Sequence, residues 1–452
     1  MLSFIMFIAY VVFLYLIYAP LAELLFHLGH VGTFYRGAKT ERKVALTFDD
    51  GPDPATTPQV LEILKAAQVK ATFFLVGSKA VAHPALVRQM VEDGHQVASH
   101  SYLHRHAWLR GPIQTFRDIA LAKEELERLS GLSVSYYRPP WGAFNWVVRA
   151  AASHLGLTPV LWSVRAMDWL AKTTPKEIVQ NIATAAEPGS VVLCHDAGGE
   201  PGAPANTIEA LPEVIAGLKA LGFSFASVSE LHEEFLEWHR GQANLYAGYP
   251  LRRRFLIALW QPVELAFSRI YRVQTVNEIF RISETTWNHG PRFDSGSGRL
   301  QVKDGCKGID LHFQNSTLIA ISSAKDNRAL VHGLRMVRAG LSDLARILEH
   351  HPRYQHVEVI AAHTLMNRGI EMLGFHVEEL PQTRQTRSLQ RYMRFLMGMY
   401  HPAGFRRLSE GTQSLTLKRV WMSREEVIQM YGKKQAHEGA GAAASASSGR
   451  CR

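Results

Sequence analysis

Two adjacent carboxylates, Asp49 and Asp50, close the short apolar run Val44–Phe48 and are followed by Gly51 and Pro52. Asp-Gly-Pro is ordinary turn chemistry, and alone it would be read as a turn. Here it has company, because His100, His104, Arg138, Asp168 and His195 recur downstream at the ends of similar apolar runs. Two imidazoles four apart, completed by the Asp50 carboxylate, make a two-His, one-carboxylate set. Such a set leaves coordination positions open for water and substrate, as a catalytic zinc requires. The His pair by itself is a weak signal, since 21 His in 452 residues yield roughly one such spacing by chance. A metal in that set would polarise a carbonyl and lower the pKa of its water. Asp49, beside the metal but not bound to it, could take the water's proton, and His195 is the available acid for a leaving group. Jointly these residues read as a metal-assisted hydrolase of an amide or ester.

Such residues need elements that bring them to one address. Between Lys43 and about residue 236 the pattern alternates strand and helix. Candidate strands are Val44–Phe48, Ala71–Val76, Gln96–Ser99, Val134–Tyr137, Pro159–Val164, Val191–Cys194 and Phe223–Val228. Amphipathic helical stretches such as Thr57–Ala67, Pro84–Glu92, Thr115–Leu129 and Ile208–Leu221 fall between them. This alternation predicts an α/β fold on a parallel sheet, a compact and incomplete relative of the eight-unit barrel. Each candidate residue then follows a strand, which is where barrels of this type build their active sites.

Thr47–Pro52, His100–His104, the run Arg138 to Gly142, Asp168-Trp169 and Leu193–Asp196 resemble five ordered motifs of the polysaccharide deacetylase family. This is the nodulation-protein-B homology domain, carbohydrate esterase family four. The resemblance covers about residues 43–236. It implies a deformed (β/α)7 barrel and a divalent metal, usually Zn2+, that removes acetyl groups from carbohydrate. It makes Asp49 the general base and Asp50, His100 and His104 the metal ligands. Arg138 orients the base, and Asp168 holds His195 in its working orientation. Pro139, Trp141 and Trp169 belong to the sugar groove, and Leu193 lines the acetyl pocket. Members often carry an acidic residue three places before the Asp-Trp pair, where this chain has Arg165; that bears on groove charge and substrate choice.

The first 19 residues have a different character. Leu2 to Ala19 carries no charge, and its length at 1.5 Å per residue is roughly 27 Å, close to a bilayer's hydrocarbon thickness. A cleaved signal peptide would need a basic n-region, and no Lys or Arg precedes this run. The expectation is an uncleaved single-pass membrane anchor over residues 1–28, with a linker over 29–42 and the catalytic domain extracytoplasmic. Arg36, Lys39, Arg42 and Lys43 conflict with that orientation, because the positive-inside rule would keep the chain beyond the helix in the cytoplasm. Three cysteines, Cys194, Cys306 and Cys451, make no disulfide framework.

Net charge is +10, and residues 250–435 account for it with 28 Lys+Arg against 16 Asp+Glu. The pattern there changes to a second, basic α+β domain, similar to the small YkoP-like domain that follows some bacterial deacetylases. A basic apolar helix from Leu251 to about Tyr271 opens it. Strands Ile309–Phe313, Leu318–Ile321 and His356–Ala361 and helices Asn327–His350 and Ser388–Tyr400 come next. Its charge suggests an anionic lipid or wall polymer, with Arg252, Arg253, Arg254, Arg384, Arg387, Arg391 and Arg394 as contacts. Zinc-finger spacing and RNA-binding signatures are absent, so nucleic acid is not expected. Arg368–Glu379 resembles the closing segment of acetyl-CoA-dependent acyltransferases, without a matching Gly-rich loop. Residues 436–452, rich in Ala, Gly and Ser, are expected to be a disordered tail. The substrate stays open between peptidoglycan, chitin-like oligomers, acetylated xylan and lipid-linked sugars. A non-catalytic carbohydrate-binding protein on the same scaffold is the other function class.

Overall fold

The structure is a computed structural model that describes residues 2–245, 248–290, 292–293, 300–314, 327–365, 370–401, 406 and 416–432. It divides into two compact units, Met1–Arg240 and Gly241–Arg452. The expected strand Leu318–Ile321, the start of Arg368–Glu379 and the tail 436–452 lie outside the described residues.

In the first unit a parallel sheet curls around a core. Its strands are β1 (Lys43–Asp49), β2 (Thr72–Leu75), β3 (Gln96–Ser99), β4 (Tyr136–Tyr137), β5 (Thr158–Pro159), β6 (Val164–Arg165), β7 (Ser190–His195) and β8 (Ser224–Phe225). The order is β5-β4-β3-β2-β1-β7-β6, with β8 pairing the start of β1. β1 is central and buried on both faces, which is why Val44, Ala45, Leu46, Thr47 and Phe48 form an unbroken run rather than an alternation. Helices Thr57–Ala67, Pro84–Glu92, Pro112–Ser130, Pro175–Ala185 and Ala203–Ala220 cover the outside with Leu61, Leu64, Met90, Leu126, Ile182 and Leu211.

One expected element divides. Pro159–Val164 does not form a single strand; its two ends pair at opposite edges of the sheet, β5 on β4 and β6 on β7. The residues between them run from one edge of the curled sheet to the other. The reason lies inside, where the Arg138 guanidinium takes the carbonyls of Val160 and Leu161, which a strand ladder would otherwise use.

The N-terminal helix Leu2–Leu16 passes into two wide, π-type turns, Ile17–Leu21 and Leu24–Leu28, the first containing Pro20, which has no N–H to donate. Phe4–Leu28 is long and apolar enough to cross a membrane by length and composition. Its last part is packed on the barrel, with Ala19, Ala22 and Phe26 buried. In the expected linker 29–42, Phe34 is also buried and bridges Val160.

The second unit carries a mixed six-stranded sheet. Its order is His376–Glu379, Lys418–Ser423, Val359–Thr364, Lys307–Phe313, Phe280–Thr286 and Gln274–Thr275. Leu341, Leu344 and Leu348 of the helix Asn327–His350 pack on Ile282, Ile309, Ile360 and Met422 of that sheet. Of the cluster Arg252–Arg254, Arg253 is not available to an anionic surface. It is buried, its Nε donates to the Met399 carbonyl at 2.7 Å, and its guanidinium lies 3.8 Å from the Tyr249 ring centroid.

Candidate functional site

The site is assembled at the C-terminal ends of the strands. Asp50 follows β1, and His100 and His104 lie on the loop after β3; one ligand atom from each falls within 4.8 Å of the others. His100 Nδ1 lies 2.7 Å from the Arg138 carbonyl oxygen. A carbonyl only accepts, so Nδ1 carries a hydrogen, and the tautomer this selects has its lone pair at Nε2. That lone pair faces Asp50 Oδ1 at 3.3 Å, and His104 Nε2 approaches the same oxygen at 2.8 Å. Asp50 Oδ1 is buried, with these two imidazole nitrogens as its neighbours. Two imidazole nitrogens and a carboxylate oxygen converging within 4.8 Å make a donor set that fits Zn2+ or a similar divalent metal.

Asp49 stands beside this set and outside it, its Oδ2 3.9 Å from His100 Nε2. Its other oxygen accepts from Arg138 NH1 at 2.6 Å. Arg138 is fully buried. NH1 also donates to Thr47 Oγ1 at 2.8 Å, and the guanidinium stacks 4.0 Å from the Phe74 ring centroid. Burial pulls this guanidinium's pKa down, and the Asp49 carboxylate opposes that pull. One residue thus orients two: the Arg138 side chain holds Asp49, and its carbonyl sets the His100 tautomer.

His195 comes from the adjacent strand, in register with Asp49. Asp168 Oδ1 lies 2.9 Å from His195 Nδ1, while Asp168 Oδ2 accepts the His195 N–H at 2.7 Å and the Thr207 hydroxyl at 2.9 Å. Nδ1 therefore carries hydrogen, and Nε2 is left for the groove. Burial opposes charge on this imidazole, yet Asp168, helped by Asp49 and Asp50, pushes its pKa up to about 9.

The remaining expected residues surround these two pairs. Trp141 is 56% exposed and its ring lies 4.5 Å from that of His104. Trp169 meets His195 edge-on at 5.7 Å. Leu193 is buried in β7 in register with Thr47, two positions before His195 and so on the same face. Pro139 is buried next to the turn Pro140–Gly142. Arg165 ends β6 and is exposed, 5.7 Å from the Trp162 ring.

The site loops hold backbone strain. Asp50, Ser101, His104, Trp141 and Met167 all have positive φ without being glycine. Several residues without a sequence signal bond to these loops. Lys79 Nζ donates to the Asp50 carbonyl at 2.7 Å. Asp118, on the helix Pro112–Ser130, accepts the N–H groups of Tyr102 and Leu103 and pairs with Arg110 at 2.9 Å. Asn145 donates to the Ala107 carbonyl at 2.7 Å, tying the loop after β4 to the histidine loop. Glu23, from the N-terminal helix, accepts the Phe144 N–H at 2.7 Å. At Gly198, φ is +72° and a Cβ would stand 2.4 Å from Asp50 Oδ2. Gly198→Ala is expected to displace Asp50 and weaken Zn2+ binding in equilibrium dialysis; unchanged affinity would show that the carboxylate can move aside.

A family model described as polysaccharide deacetylase matches residues 36–160, and one described as YkoP domain matches residues 253–431. The chain is 36% identical over 193 residues to a peptidoglycan-N-acetylglucosamine deacetylase of Bacillus cereus, covering 42% of this chain and 88% of that protein. It is 34% identical over 200 residues to the peptidoglycan-N-acetylglucosamine deacetylase PgdA of Listeria monocytogenes, covering 44% of this chain. That match spans 41% of the Listeria protein's length. A chitooligosaccharide deacetylase of Azorhizobium caulinodans is 34% identical over 204 residues, covering 43% of this chain and 96% of that one.

Proposed function

This chain belongs to the polysaccharide deacetylase family, and from that premise we propose that it is a metal-dependent deacetylase of N-acetylglucosamine-containing glycan, cell-wall peptidoglycan first. The observation that carries the reading is the convergence of Asp50, His100 and His104 beside the Asp49–Arg138 pair, with the Asp168–His195 pair on the adjacent strand. A divalent cation held by the three ligands would polarise the acetyl carbonyl and make a water easier to deprotonate. Asp49 accepts that water's proton, aimed by its hydrogen bond from Arg138. As the water oxygen joins the carbonyl carbon and the C–N bond breaks, His195 gives a proton from Nε2 to the leaving nitrogen. Asp168 holds the ring and stabilises its charge. Acetate and a free amine result. Trp141 and Trp169 wall the sugar, and Leu193 borders the acetyl methyl.

Acetate release from N- and O-acetylated glycans, with and without chelator, tests this. Release from N-acetylated oligomers that chelator abolishes is expected. Release that ignores chelator would remove the metal, and none at all would favour a carbohydrate-binding protein on the same scaffold. Asp50→Ala, His100→Ala and His104→Ala are each expected to lose bound Zn2+ and activity together. Full occupancy in all three variants would overturn the ligand assignment.

The acid has its own signature. His195 must be protonated to act, so activity should fall as pH rises through the imidazole's pKa, which burial lowers and the Asp168, Asp49 and Asp50 carboxylates together push up to about 9. With a cation held by Asp50, that carboxylate's contribution would be offset and the limb would lie lower. Asp168 is the main group raising this pKa, so Asp168→Asn should move the alkaline limb to lower pH. An unmoved limb would assign the proton to another group.

We read the N-terminal helix as an uncleaved membrane anchor. Supporting this, Ala19, Ala22 and Phe26 are buried in the catalytic unit and Glu23 binds Phe144, so cleavage there would remove part of the fold.

A further inference from the structure

The candidate membrane span, Phe4–Leu28, overlaps the segment docked on the barrel. Phe4–Leu16 is exposed throughout, and the rest of the span holds the buried Ala19, Ala22 and Phe26. The candidate span thus includes the docked residues. The surface beside them therefore meets the lipid.

Two elements stand there. Tyr18 donates its hydroxyl hydrogen to the Arg110 carbonyl at 3.0 Å, and Trp146 Nε1 donates to the Ile17 carbonyl at 2.8 Å. The base of the helix is thus gripped by the turn around Arg110 and by the start of the helix Trp146–His154. That turn is unusual for a soluble surface. Leu109 is 83% and Ile113 67% exposed, and Leu24 and Leu28 on the docked segment are exposed as well. From Leu103 to Arg117 the chain contains Arg105, Arg110 and Arg117 and no acidic residue. Arg105 and Arg117 are exposed, whereas Arg110 is paired with Asp118. Exposed large apolar side chains flanked by arginine and tryptophan, continuous with an apolar helix, match the interfacial zone of an anionic bilayer.

We propose that Leu109, Ile113 and Trp146, with Leu24 and Leu28, form a collar seated in the bilayer interface, so that the deacetylase unit rests on the membrane instead of hanging from a tether. The inference rests on the anchor reading above. Its chemical consequence comes from Asp118, which links the collar through Arg110 to the loop bearing His100 and His104. The metal loop is then held at the membrane face, within reach of acetylated sugars presented there.

The test uses the full chain reconstituted into phosphatidylglycerol-containing liposomes. Cys451→Ser leaves Cys194 and Cys306, both buried. Leu109→Cys or Ile113→Cys, labelled with an environment-sensitive nitrobenzoxadiazole, reports the collar. Leu132→Cys is the control, 53% exposed just past the far end of the helix Pro112–Ser130, roughly 28 Å along from Ile113. The collar probes are expected to shift to the blue and lose most of their emission to an acyl-chain quencher, while the control stays water-like. Collar probes as wet as the control would overturn the seating. So would a blue-shifted probe deaf to the lipid quencher, which would mean that protein covers the patch. Alkaline carbonate extraction separates the two readings. Release of the chain would sink the anchor and the collar with it. Retention with wet probes would sink the collar alone.

Discussion

Asn in place of Asp49 is expected to lower acetate release by at least ~10²-fold, the low end for general acid–base catalysis, while Zn2+ occupancy stays at the wild-type level. The amide keeps the shape and cannot take the water's proton. Metal retention is expected from geometry, because Asp49 lies outside the ligand set and its nearer approach to His100 Nε2 is 3.9 Å. The substitution also leaves the Arg138 guanidinium buried without its counter-charge. Activity must therefore be read per folded molecule, with circular dichroism alongside. Wild-type turnover in a folded, metal-loaded variant would assign the base elsewhere. Loss of metal along with activity would place Asp49 among the ligands.

Arg138→Met is expected to produce the largest loss of stability. Arg138 is fully buried, bonded to Asp49, Thr47, Val160 and Leu161, and packed on Phe74. Removing one partner of a buried ion pair typically costs ~3–5 kcal/mol because the other is left charged and dry. Domains are stable by only about 5–15 kcal/mol, so a large drop in the denaturant midpoint should result. The double variant Asp49→Leu/Arg138→Met should be more stable than Arg138→Met alone, since no uncompensated charge remains. That comparison separates lost charge balance from lost packing. A single variant within about 1 kcal/mol of wild type would show that the Asp49 carboxylate finds water or another donor.

Residue type and position along the chain already determined the barrel unit and where its candidate site residues fall. The alternation of apolar runs with amphipathic stretches is a local property, because the period of burial is set by backbone geometry. It placed β1, β3 and β7 within a residue or two and put Asp49, Asp50, His100, Arg138 and His195 at strand ends. Partnership between distant polar groups has no such period, and only the fold decided it. Asp118 serves Tyr102 and Leu103, and Glu23 serves Phe144, 121 positions away. The same holds where one side chain overrides a local pattern. Pro159–Val164 is apolar enough for one strand, but Arg138 inside the barrel claims its carbonyls and divides it. Arg253 sits in a run of three arginines that reads as solvated surface, yet its aliphatic stem and a carbonyl acceptor at Met399 let it be buried. The charged and apolar content of each segment was legible in order. Which donor meets which acceptor depends on distances that exist only once the chain has closed on itself.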